Sequence, residues 1–230
     1  VNQSGSSTYS GCISGTTATL TKAGAGTLNL TGANTYSGST NITAGTLQIG
    51  NGSTVGSVNG SSAVNISSGA NFTINRSDNI TLANAISGAG NLSTVSSNIT
   101  TITGLATYTG TTNVTNGSIV FTNNATPATS GFIGNGNVTI APNGSAFTSA
   151  STLNYTYAST LKSLTVGNAT STTNADLTVN SAINISGPIS LYGGNQVINA
   201  NLETTSANAA ILLKGSANIS LAASKSITTN

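Results

Sequence analysis

Histidine, tryptophan and methionine are absent from these 230 residues, cysteine occurs once, proline three times, and there are five basic and three acidic side chains. Without histidine the chain has no side chain whose ordinary pKa lies near neutrality, and it lacks the commonest metal ligand. Cys12, being alone, forms no internal disulfide, and no imidazole is present to activate its thiolate. It reads as a small apolar filler, with an interchain crosslink as the alternative. The cations Lys22, Arg76, Lys162, Lys214 and Lys225 are scattered along the chain. Phosphate backbones are held by clustered positive charge, so nucleic acid is not an expected partner. No apolar run approaches the ~20 residues that cross a bilayer, and this segment is not expected to span a membrane. Val1 opens the sequence without a signal peptide, which suggests a mature product or, as we favour, a piece of something longer.

What is abundant is neutral and polar: Asn, Ser, Thr and Gly make up 132 residues. Disordered chains of such low hydrophobicity carry charge or proline, whereas Val, Ile and Leu recur here throughout. They recur in short alternating runs, among them Leu28-Asn29-Leu30, Leu47-Gln48-Ile49, Val64-Asn65-Ile66, Phe72-Thr73-Ile74, Ile80-Thr81-Leu82, Val138-Thr139-Ile140, Leu177-Thr178-Val179, Ile183-Asn184-Ile185 and Ile219-Ser220-Leu221. Each predicts a strand of about three to five residues with one apolar face. Gly, Asn and Ser clusters between them bend the chain at low steric cost. No segment carries a helical period of useful length; Ala207 to Ala210 is too short to stand alone.

Many short strands with frequent turns fit a sandwich, a barrel or a solenoid. Self-similarity separates them. Residues 35–49, TYSGSTNITAGTLQI, align without a gap to residues 107–121, TYTGTTNVTNGSIVF, pairing Tyr36 with Tyr108, Gly38 with Gly110, Asn41 with Asn113, Gly45 with Gly117 and Leu47 with Ile119. The constant offset of 72 would hold three or four coils of roughly 18–24 residues. A weaker echo, TYSG, lies at Thr8 to Gly11. The fold class expected is all-β, a parallel β-solenoid with Gly, Asn and Ser turns and essentially no helix.

Leu20 to Gly50, LTKAGAGTLNLTGANTYSGSTNITAGTLQIG, resembles the passenger-associated β-strand repeat of bacterial autotransporters through its Gly-x-Gly-x-Leu entry, Asn-Thr-Tyr-Ser-Gly turn and Ala-Gly-Thr-Leu exit. The stretches INISGPISLYGGNQVINANLET and ILLKGSANISLAASKSITTN are similar to the repeats of filamentous-haemagglutinin-like exoproteins, while residues 122–176 follow neither pattern closely. The resemblance implies a right-handed parallel β-helix displayed outside a Gram-negative cell, exported by an autotransporter barrel or a two-partner system. It implies a single solenoid segment of a longer repetitive protein, with autotransporter-type repeats over about 8–121, less regular coils over about 122–176 and haemagglutinin-like repeats over about 177–230. The role implied is that of a stiff stalk or adhesive fibre. Its partners would be a host or neighbouring-cell surface, or other copies of itself.

Parallel β-helices also include polysaccharide-cleaving enzymes, which need facing carboxylates or acids grouped around a metal. Asp78, Asp176 and Glu203 are the acids available, 98 and 27 positions apart. With so few, catalysis is not expected, and no cofactor is called for. Calcium-binding solenoids place Asp after Gly-Gly-x-Gly; Gly193-Gly194 is followed by Asn195, so no structural metal is expected either. Arg76 and Asp78, two apart, read as a local surface ion pair worth under about 1 kcal/mol. Ice binding would need Thr-x-Thr at one place in every coil, and Thr17-Ala18-Thr19 and Thr101-Ile102-Thr103 do not recur regularly. Asn-x-Ser/Thr triplets, as at Asn41, Asn65, Asn79, Asn98, Asn113, Asn137, Asn184 and Asn218, are glycan acceptors in principle, but an alternating Asn-Ile-Thr strand spells the same triplet. Tyr155 and Tyr157 would share a strand face and are candidate contacts for a sugar ring or a partner surface, with packing beneath a loop as the alternative.

Overall fold

The computed structural model describes residues 1–123, 126–141, 147–171 and 174–230. The chain winds as a parallel β-solenoid of about ten turns, with no helix among the described residues. One turn consumes between 19 residues, as from Leu28 to Leu47, and 26, as from Ser151 to Leu177. The 25-residue turn from Leu47 to Phe72 carries the Gly- and Asn-containing stretch 50–60 between two faces.

Three faces build the coil. The first is an eight-stranded sheet running from Ser7–Tyr9 through Thr27–Leu30, Thr46–Ser53, Asn71–Arg76, Asn91–Thr94, Thr111–Val114 and Gly131–Gly134 to Thr156–Tyr157. The second has seven strands, from Ile80–Leu82 through Ile99–Ile102, Ser118–Phe121, Asn137–Ile140, Ser163–Val166 and Ile189–Gly193 to Ile211–Gly215. Two four-stranded sheets line the third face, one beginning at Leu20–Lys22 and the other at Ser151–Leu153. A three-stranded sheet, Ile183–Ile185, Leu202–Thr204 and Ile227–Thr229, continues the first face toward the C-terminal end. Every strand pairing is parallel and almost all keep one register, so each turn is a template for the next.

The alternation read from sequence becomes columns of interior side chains. Leu28, Leu47, Phe72 and Leu92 stack on the first face, and Leu82, Ile102, Phe121, Ile140, Val166 and Leu191 on the second, all buried. Neighbours between them point outward and are mostly Asn, Ser or Thr. At several corners an outward Asn accepts a backbone N–H from the following turn: Asn79 from Ile99 at 2.9 Å, Asn91 from Thr111 at 2.9 Å, and Asn201 from Ser226 at 3.1 Å. Asn is useful there because its carbonyl oxygen takes up a donor that the corner has withdrawn from the strand ladder.

The offset of 72 is explained by the rungs, in an unexpected way. Thr40–Ile42 lies on the third face and Thr46–Ser53 on the first, whereas the matching Thr111–Val114 and Ser118–Phe121 lie on the first and second. The two copies are therefore separated by three turns plus one face. Gly45 and Gly117 occupy the same left-handed conformation, with φ of 65° and 66°, so it is the corner that repeats, wherever on the circumference it falls. The echo at Tyr9 is not equivalent: Tyr9 sits within a strand of the first turn, paired with Leu30, and is 43% exposed.

Candidate functional site

Each copy of the repeated motif makes the same buried clasp. The Tyr36 hydroxyl lies 2.6 Å from Thr40 Oγ1, which is 3.0 Å from Ser62 Oγ one turn on, and Ser62 donates to the Gly38 carbonyl at 2.7 Å. In the second copy the Tyr108 hydroxyl is 2.6 Å from Thr112 Oγ1, Thr112 donates to Thr129 at 3.0 Å, and Thr129 donates to the Gly110 carbonyl at 2.6 Å. A hydroxyl has one proton, so the terminal bond to glycine fixes the direction of each relay: Tyr donates to Thr, and Thr to the next turn. Both tyrosines are fully buried, and burial raises their pKa. The motif tyrosines are thus structural, tying each corner to the turn that follows.

Asp78 stands apart from the other two acids. Asp176 Oδ1 accepts the Asn195 backbone N–H at 2.7 Å, and Glu203 Oε2 accepts from Asn184 Nδ2 at 2.8 Å. Asp78 precedes the second face, and Asp176 the third face a little over four turns later, roughly 20 Å along the axis at the usual strand spacing. That is well beyond the about 5–9.5 Å that separates paired glycosidase carboxylates. Among the described residues no group of three metal-binding side chains comes together, and no helix is long and apolar enough to cross a membrane. Cys12 is exposed. On the second face the outward column runs Thr81, Thr101, Val120, Thr139, Thr165, Ser190, so its threonine row is interrupted.

Tyr155 and Tyr157 do come together, their ring centroids 6.2 Å apart. Tyr155 is 5% exposed, donates its hydroxyl to the Pro127 carbonyl at 2.7 Å, and meets Phe132 edge-on at 5.1 Å. Tyr157 is partly buried and stacks on Phe132 at 6.2 Å. Both rings are built into an aromatic cluster that includes Phe121, which is the packing alternative rather than a pair of rings standing on an outer face.

One concave feature was not visible in the sequence. The second face starts abruptly at Ile80–Leu82: no strand pairs with its leading edge, although the preceding turn, residues 50–60, is fully described. The Leu82 carbonyl accepts from Thr103 N–H on the following turn, so the amide and carbonyl of Thr81 alternate to the leading edge. Ser57 N–H donates backward to Gly32, leaving the backbone of Val58 facing Thr81. Between them lies a slot of about 350 Å³ floored by the buried Ile49, Val58 and Leu82.

Both ends of the slot are closed. At one, Ser77 N–H donates to Ser53 at 3.1 Å, and the Arg76 guanidinium bonds the Thr54 and Gly56 carbonyls. At the other, Asn84 Nδ2 donates to the Asn59 and Ser62 carbonyls, 2.6 Å each. Asn84 Oδ1 is buried and has no partner among the described residues. Arg76 Nε and an Nη hydrogen each meet one oxygen of Asp78 at 2.8 Å, and this hydrogen-bonded guanidinium holds the carboxyl below its ordinary pKa. The expected ion pair is present, with the added task of pinning the loop.

Residues 20–49 match the model of the passenger-associated-transport-repeat family. No curated protein and no solved structure matches the chain. In the structure the matched stretch holds the strands Leu20–Lys22, Thr27–Leu30 and Thr40–Ile42 and the start of Thr46–Ser53, and the first clasp's Tyr36 and Thr40. Since Leu20 pairs with Thr40 one turn later, the repeat spans about a turn and a half.

Proposed function

We propose that the chain is an extracellular structural and adhesive segment of a Gram-negative surface protein, a rod that holds binding surfaces away from the cell and takes no part in catalysis. The observation that carries this reading is a passenger-associated-transport repeat set within a coil whose described turns share one ladder direction. The polar, nearly uncharged outer faces support contact with a neighbouring surface or with other copies, because little electrostatic repulsion opposes close approach.

Small-angle scattering tests the rod: ten turns at the usual spacing give a particle roughly 50 Å long. Display of the chain on a non-adherent bacterium, followed by settling and cell-binding assays, tests adhesion. A compact sphere in solution, or display without any gain in aggregation or attachment, would overturn the proposal.

A further inference from the structure

We propose that the slot between residues 56–58 and Ile80–Leu82 is a binding site for a neutral saccharide, entered by a single sugar ring at a chain end. This deepens the adhesive reading by naming a ligand class for one place on the rod. Four features of the slot select that class. Its volume of about 350 Å³ lies at the small end of the roughly 300–1,000 Å³ range of ligand sites.

Its polar groups are of both kinds. Thr81 and Val58 offer strand-edge amides and carbonyls that no ladder consumes. Sugar hydroxyls, which donate and accept, match such a mixture. Asp78 stands at the mouth with its side chain 38% exposed. Each of its oxygens takes one bond from Arg76, which leaves lone pairs on a rigidly held carboxylate for two neighbouring hydroxyls. The apolar floor of Ile49, Val58 and Leu82 suits the C–H face of a ring.

The charge of the lining selects among sugars. Arg76 and Asp78 cancel, and no other ionisable group lines the slot, so an acidic sugar would meet the Asp78 carboxylate without a free cation to pair with. The closed ends select against a peptide. A strand added to the edge of Ile80–Leu82 would have to run through both ends, where Ser77–Ser53 and Asn84–Asn59 contacts block it.

The test uses the intact chain titrated with glucose, galactose, N-acetylglucosamine and their disaccharides, read by saturation-transfer NMR and calorimetry. Saturable binding of at least one neutral sugar is expected. Asp78→Asn should weaken it by about tenfold or more, the effect of losing one charge-assisted hydrogen bond. Ala83→Trp, placed on an exposed residue of the rim, should abolish it without altering the circular-dichroism spectrum or the melting temperature. No saturable binding to any of these sugars would overturn the inference, as would binding that survives both substitutions or capture of an extended peptide in their place. These failures would leave the rod dimension and the display assay untouched, so they are distinguishable from failure of the adhesive reading itself.

Discussion

Replacing Thr112 by Val should cost more than removing the tyrosine hydroxyl that donates to it. In the relay from Tyr108 through Thr112 and Thr129 to Gly110, Thr112 is both acceptor and donor. Tyr108→Phe deletes the first donor and leaves the other two bonds in place, a loss of about 1 kcal/mol for one net hydrogen bond. Thr112→Val keeps the volume but strands the Tyr108 hydroxyl, which is fully buried, and removes the donor to Thr129; an unpaired buried polar group raises the loss to about 2–3 kcal/mol. In the double variant no tyrosine hydroxyl remains to be stranded, so the two losses should fall short of additive by about 1–2 kcal/mol. Tyr36 and Thr40 form the same relay and should return the same ordering. Urea unfolding gives the global cost, and amide exchange over Thr111–Val114 reads the local opening. Additive losses, or a Thr112→Val protein no less stable than Tyr108→Phe, would refute the relay.

Gly110→Ala should destabilise by about 2–3 kcal/mol, because the added carbon would stand 2.1 Å from the Gly90 carbonyl oxygen, whereas Gly5→Ala, with nothing within 4 Å, should change the urea midpoint little. Stability should fall as pH rises above about 10: burial raises the pKa of Tyr36, Tyr108, Tyr155 and Tyr157, so the unfolded chain ionises first and gains the advantage. Thermal melts between pH 8 and 11 check this, and a flat profile would contradict it. Lys22 has the opposite sign. Its ammonium is buried among the carbonyls of Ala23, Gly24 and Ala44, and desolvation lowers its pKa, so between that lowered value and its ordinary one stability should rise with pH. Lys22→Met should therefore steepen the net alkaline decline in the same melts.

The architecture was legible because two-residue alternation survives averaging over many short strands, and because a gapless 15-residue match can arise only from a repeating unit. The interior of the clasp was not. Tyr36, Gly38 and Thr40 are visible as a pattern, but their closing partner is Ser62 in one copy and Thr129 in the other, at different spacings. Coil length varies from 19 to 26 residues, and residues 50–60 carry no period that marks where a turn ends. Tyr155 and Tyr157 show the limit of reading strand faces locally. Their two-residue spacing correctly brings the rings together, yet where the rings settle was decided by Phe132 and Pro127, one turn earlier. The slot escaped for a similar reason: it exists because a strand is missing beside Ile80–Leu82, and a missing neighbour has no sequence signature of its own.

The displacement of the two motif copies by one face bears on how such proteins grow. If a block of this length were duplicated in tandem, each new copy would arrive rotated by a third of a revolution about the long axis. Any decoration carried by the block would then spiral around the shaft as a barber-pole stripe instead of lining up in a column. Three successive duplications would bring it back to its starting side, so a shaft lengthened this way would present the same decoration to all directions in turn.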